Sequence, residues 1–175
     1  DVRYSLSGVY IELDQVEKAA EQLKALLAKA PDNATYNNDL GYIWADHDMH
    51  LAESEKLVRK AIKEERKQRQ KANPKAKPEE IKDRGAYLDS LGWVLYKQKK
   101  YVEAKRYLRQ AMQNTLEEDD SESIEILDHL GEVLLALGEK AEAVAVWKKG
   151  VAVAGDSKRE RKRKEEVQKK IKANE

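Results

Sequence analysis

Cysteine and phenylalanine are absent from this chain of 175 residues, proline occurs three times, and no apolar run approaches the length of a membrane-spanning helix, roughly 20 residues. Without cysteine there is no disulfide framework, thiolate metal site, thiol nucleophile or iron–sulfur cluster. A cysteine-free chain is at home in any redox compartment, so localisation stays unknown. Nothing at the start resembles a signal peptide. The chain begins at Asp1 with no initiator methionine, which reads as a fragment from which any targeting segment would be missing. What is present is charge, 38% of residues, against 41% hydrophobic ones. That balance reads as a soluble, helix-rich chain long enough to bury a core without staples.

The net charge of +1 conceals strong segregation. Residues 1–55 carry 4 Lys/Arg against 11 Asp/Glu, and 85–156 carry 9 against 13. Residues 56–84 reverse this with 12 against 5, and 157–172 with 9 against 3. A partner responds to the local field within about a Debye length, ~10 Å, so the two acidic and two basic stretches are read separately.

Strand-like alternation is nowhere sustained, whereas apolar spacings of three and four recur. Leu6, Val9 and Tyr10 lead to Ala19, Leu23 and Leu26, and Leu40, Ile43 and Trp44 lead to Leu57, Val58 and Ala61. Leu88, Leu91 and Leu95 lead to Ala104, Leu108 and Ala111; Leu127, Leu130 and Leu134 lead to Ala143 and Trp147. Each set predicts a pair of amphipathic helices. The four hairpins are predicted at about 1–33, 34–63, 85–116 and 124–155, with a basic insertion at 64–84, an acidic one at 117–121, and a charged capping helix at 156–175. Pro31-Asp32-Asn33 and Gly138 mark turns, and Pro78-Glu79-Glu80 has the form of a new helix start.

Small residues recur one turn before an aromatic or a leucine: Leu6-Ser7 with Tyr10, Leu40-Gly41 with Trp44, Leu91-Gly92 with Leu95, and Leu130-Gly131 with Leu134. The second helices answer with Ala19, Ser54, Ala104 and Ala143 and a large apolar residue four on. These positions resemble the 34-residue unit of the tetratricopeptide repeat (TPR) family. Ser7 to Gly41 is 34 residues, while Gly41 to Gly92 is 51 and Gly92 to Gly131 is 39, the excess being the two insertions and one extra residue near 46–50. Tyr87-Leu88-Asp89-Ser90-Leu91-Gly92-Trp93 is similar to the C-terminal repeats of longer bacterial members. The resemblance implies an all-α, right-handed solenoid of helix-turn-helix hairpins closed by a C-terminal capping helix.

It further implies a concave groove lined by the first helix of each pair. The positions one turn from the Leu-Gly pairs are Asn38, Asp39, Tyr42 and Asp46; Asp89, Ser90, Trp93, Tyr96 and Lys97; and Glu125, Asp128, His129 and Glu132. That lining is acidic and aromatic. Family members that clamp a carboxylate tail use Lys, Arg and Asn, whereas the matching positions here hold Tyr4, Gly8, Asp39, Ala86 and Ser90. Asp39, Asp89 and Asp128 repel an anion and suit a peptide or helix of basic and apolar character, with cation–π and stacking contacts to the aromatics. The expected partner is another protein or peptide segment.

Two alternatives stand beside this. One is a scaffold meeting an acidic partner or nucleic acid through the basic 56–84 and 157–172; no aromatic is interleaved there, and Glu64, Glu65, Glu79, Glu80, Glu160, Glu165 and Glu166 neutralise part of the charge. The other is a structural spacer of a larger protein. Asp46-His47-Asp48-Met49-His50 has metal-ligating side chains but reads as a polar turn, so neither metal nor cofactor is expected. No phosphate-binding glycine motif, strained nucleophile or carboxylate pair in an apolar pocket is found, and the chain reads as a non-enzyme.

Overall fold

In a computed structural model that describes residues 2–119 and 121–175, the chain is helical with no strand among the described residues. The helices are α1 (Val2–Glu12), α2 (Val16–Lys29), α3 (Ala34–Asp46), α4 (Leu51–Ala72), α5 (Gly85–Lys97), α6 (Tyr101–Asp119), α7 (Ile124–Ala136), α8 (Lys140–Val153) and α9 (Lys158–Asn174). They form two compact units, Asp1–Asp83 and Arg84–Glu175. The fold class is all-α, built from antiparallel helical hairpins.

In the first unit α1 packs on α2 and α3 on α4, with α2 joining the two hairpins. Val16, Ala20, Leu23, Leu26, Leu40, Ile43 and Trp44 make one apolar cluster, flanked by Ile11, Tyr36 and Leu57. The predicted spacings therefore turn inward, except at Val9, which is exposed. Asn33 caps α3, its side chain accepting from the Tyr36 amide at 3.0 Å. Helix α4 continues through the first part of the basic stretch, and the chain then folds back along it. Gln70 donates to the Ala76 carbonyl (2.9 Å), and Arg66 forks onto Asp83 (2.8 and 2.5 Å). The expected helix start at Pro78 is only a 3-10 turn, Pro78–Glu80, and α5 begins at Gly85. The chain extends at Ile81 (φ −85°, ψ 99°) on its way to bring Asp83 against Arg66, which stops the turn.

In the second unit α5 pairs with α6, α7 with α8, and α9 lies against both α7 and α8. The small residues permit this closeness. A Cβ on Gly92 would sit 2.5 Å from Leu108 Cγ, and one on Gly131 would sit 2.2 Å from Trp147 Nε1. Trp147 is fully buried there and its indole donates to the Asp128 carbonyl at 3.2 Å. Residues 117–119 are the last turn of α6; Asp120, within the predicted acidic insertion, lies outside the described residues.

All four hairpin turns share one device. The amides of Gln15, Met49, Lys100 and Glu139 reach back five residues to the carbonyls of Tyr10, Trp44, Leu95 and Leu134 at 2.7–2.9 Å. The residue before each, Asp14, Asp48, Lys99 or Gly138, has a left-handed backbone. This is the Schellman closure of a helix. The second turn holds one extra residue, His50 at φ 46°, before α4 begins.

Candidate protein-interaction surface

Within the first unit, Asn38 is buried and its Nδ2 donates to Asp39 Oδ1 at 3.2 Å, while its Oδ1 has no hydrogen-bond partner. Asp39 accepts from the Tyr4 hydroxyl at 2.7 Å, and the Tyr4 ring leans on Tyr36 at 5.4 Å. Tyr42 is half-buried beside them along α3, and Asp46 is exposed at the end of the helix. The structure thus gathers Asn38 and Asp39 around the α1–α3 contact.

The second unit concentrates more chemistry. Trp93 on α5 is half-buried and stacks with Tyr96 (4.9 Å) and with His129 (4.2 Å), each nearly parallel at 16°. Lys97, one turn on, places its ammonium 5.3 Å from the Trp93 ring centroid. His129 is fully buried and its Nδ1 donates to Asp89 Oδ1 at 2.9 Å; the carboxylate can only accept, which fixes the tautomer. Ser90 is also buried and donates to the Ala86 carbonyl at 3.1 Å. Tyr96 donates to Glu132 at 3.3 Å. Asp89, Ser90 and His129 therefore brace the aromatic stack from behind, and its accessible groups are Trp93, Tyr96 and Lys97.

The acidic residues of α7 require a correction. The sequence reading left Glu125, Asp128 and Glu132 open to a ligand; in the structure α9 lies across them. Arg159 and Arg163 bond Glu125 (2.5 and 3.1 Å), Arg163 and Lys170 bond Asp128 (3.0 and 2.6 Å), and Lys170 also meets Glu132 (2.6 Å). Asp128 keeps only 4% of its surface. Burial pulls the Lys170 pKa down, but the charges and hydrogen bonds of Asp128 and Glu132 outweigh it, holding this ammonium above the ordinary lysine value. The signal was legible: Arg159, Arg163, Val167, Lys170 and Ile171 fall on one helical face. The C-terminal helix supplies Val167 and Ile171 to the interior and also the counterions of the acidic face.

The basic stretch on α4 is largely neutralised. Lys56 pairs with Glu53, Arg59 with Glu55, Lys60 with Asp32, Arg66 with Asp83, Lys67 with Glu64 and Arg69 with Glu65. The hydrogen bond from Lys60 holds Asp32 below the usual carboxylate pKa, and the bonds that Arg66 donates to Asp83 raise its own. In the turn after α3, His47 hydrogen-bonds the Ile43 carbonyl through Nδ1 (2.9 Å) and approaches Asp14 (3.7 Å), while His50 rests on Trp44 at 4.7 Å. Among the described residues no three metal-ligating side chains converge.

Stacked antiparallel helical pairs that touch through glycine, with a shared turn closure, define a helical-repeat protein. A sequence model described as Tetratricopeptide repeat matches residues 84–113, the α5–α6 hairpin. The TPR repeat-containing protein PA4667 of Pseudomonas aeruginosa is 38% identical over 121 residues, which cover 69% of this chain but 16% of that protein. Among solved structures, one titled for the functional characterization of Pseudomonas aeruginosa pilF covers 99% of this chain and 69% of its own, with a TM-score of 0.62 at 21% identity. Repeats of a putative kinesin light chain from Podosopora anserina cover 98% and 92%, at a TM-score of 0.61 and 17% identity. TTC0263, a TPR protein of Thermus thermophilus, covers 94% and 79% at 0.59 and 22%. The chain belongs to the tetratricopeptide-repeat family. Repeats of this kind mediate protein–protein interaction, and proteins of the family are typically non-catalytic scaffolds.

Proposed function

We propose that this chain is a non-catalytic interaction module whose first helices receive a peptide or helix of basic and apolar character. The observation that carries this reading is the α5 surface: a half-buried Trp93 stacked with Tyr96, braced by the His129–Asp89 pair, and already visited by a cation, Lys97. An aromatic face held rigid in this way loses little entropy on binding, and a cation or an apolar side chain is its natural contact. In the first unit Tyr42 and Asp39 offer a smaller version of the same chemistry.

A peptide array should favour sequences mixing Lys or Arg with Leu or Ile, and Trp93→Ala should lower the affinity of the best binders at least tenfold with circular dichroism unchanged. Asp89→Lys is unsuitable for this purpose, because it strands a charge against buried His129. Unaltered binding by Trp93→Ala, or a preference for acidic peptides, removes the reading. Nothing favours a nucleic-acid partner over a protein one, since six of the eight cations of α4 and those of the inner face of α9 are engaged within the chain.

A further inference from the structure

We propose that the acidic face of α7 is a receptor for a basic amphipathic helix and that α9 is its resident, displaceable occupant, so that a partner helix of the same pattern engages this unit by taking α9's place. The proposal extends the reading of a basic, apolar ligand but rests on other residues. Glu125, Asp128 and Glu132 form one acidic ridge on α7, and every one of them is met by Arg159, Arg163 or Lys170. Helix α9 therefore displays the ligand this surface selects: cations at positions 1, 5 and 12 of a helix beginning at Arg159, with apolar Val167 and Ile171 between and beside them.

The attachment is of a kind that exchanges. Only Val167 and Ile171 of α9 are buried, and of its ionic contacts the Arg159–Glu125 pair is exposed to screening by salt, whereas those on Asp128 are shielded. A 17-residue helix held by two apolar side chains opens more readily than α8, which buries Trp147. The surface beneath cannot be left bare: Asp128 is nearly inaccessible, and Lys170 covers the Trp147 ring at 5.9 Å from its centroid. Losing α9 would leave Asp128 without Arg163 and Lys170 and would uncover the apolar surface beneath Val167 and Ile171, so this face favours a basic amphipathic helix, whether its own or another's. Because α9 is tethered through only Ala154–Ser157, its high effective concentration sets the threshold a partner must exceed.

The test uses a fluorescent peptide of residues 158–174 and the full chain. Intact protein should bind it weakly. Arg163→Glu/Lys170→Glu, which loosens the resident helix, should bind at least tenfold tighter, and adding Glu132→Lys should remove most of that gain. The milder Arg163→Gln/Lys170→Gln should give an intermediate gain. Equal affinity of intact and loosened chains, with helicity retained in either variant, overturns the proposal. So does a gain that comes with a doubled mass in solution, which would assign the face to α9 of a second copy. Hydrogen exchange on the unmodified chain supplies a readout free of folding defects: α9 amides should exchange faster than those of α8, and faster still in high salt. Equal protection at both salt levels contradicts displacement. If exchange fails while Trp93-dependent binding of basic peptides persists, only the α7 receptor falls; if Trp93→Ala has no effect while exchange succeeds, only the α5 reading falls.

Discussion

Lys99 sits at φ 62° in a turn whose counterpart in the last hairpin is Gly138 at φ 79°. A left-handed backbone costs a residue with a Cβ roughly 1–2 kcal/mol, partly offset by glycine's larger entropy when unfolded. Lys99→Gly should therefore stabilise the chain by about 0.5–1 kcal/mol, seen as a higher urea midpoint with an unchanged slope. Gly131→Ala should do the opposite, costing about 1–3 kcal/mol, because the added methyl falls 2.2 Å from the Trp147 ring atom that must keep its bond to the Asp128 carbonyl. Sequence reading found the glycine turn and the glycine contacts, since glycine announces both. The turn at Asp46–His50 is legible as a polar run, but the left-handed backbone of Asp14, Asp48 and Lys99 is not, because the closure of the turn, and not the residue type, sets it.

Helix α9 shows where reading by element succeeds and where it stops. Its existence and its inward Val167 and Ile171 follow from spacing alone. Its function as counterion to α7 depends on which charged face meets which, and periodicity in one helix says nothing about its neighbour's charge. The start of α9 is held by a reciprocal cap: the Ser157 hydroxyl accepts from the Glu160 amide (3.2 Å) and donates to the Glu160 carboxylate (2.6 Å), which also receives the Gly155 amide (3.3 Å). The hydrogen bond from Ser157 is the main cause that lowers the Glu160 pKa. A depressed carboxylate pKa stabilises the folded form above the unfolded value, about 4.3, and that contribution disappears as pH falls through the folded value. Protection of α9 amides, taken relative to the intrinsic exchange rate at each pH, should thus fall below about pH 4, and Glu160→Gln should show the lower protection already at neutral pH. Lys170→Ala should cost about 1–3 kcal/mol, since Asp128 stays buried with Arg163 as its remaining cation among these pairs.

At the scale of the molecule, the segregated charges meet in local pairs: carboxylates of α7 with cations of α9, and most cations of α4 with carboxylates of their own helix, Asp32 or Asp83. The repeat plan was legible because four hairpins reiterate one pattern, whereas the accessible part of the surface was not, because burial of Asp89, Asp128 and His129 arises from stacking between helices far apart in sequence. On the proposed α5 surface the groups still accessible are the half-buried Trp93, Tyr96 and Lys97. The chain has three tryptophans, and Trp44 and Trp147 are buried while Trp93 is not. Nuclear magnetic resonance of the three indole N–H groups during titration with a Lys/Leu-rich peptide therefore tests the binding claim most directly: the Trp93 signal should move in a saturable way while those of Trp44 and Trp147 hold still, and a titration that leaves Trp93 unmoved at saturating peptide would contradict the account.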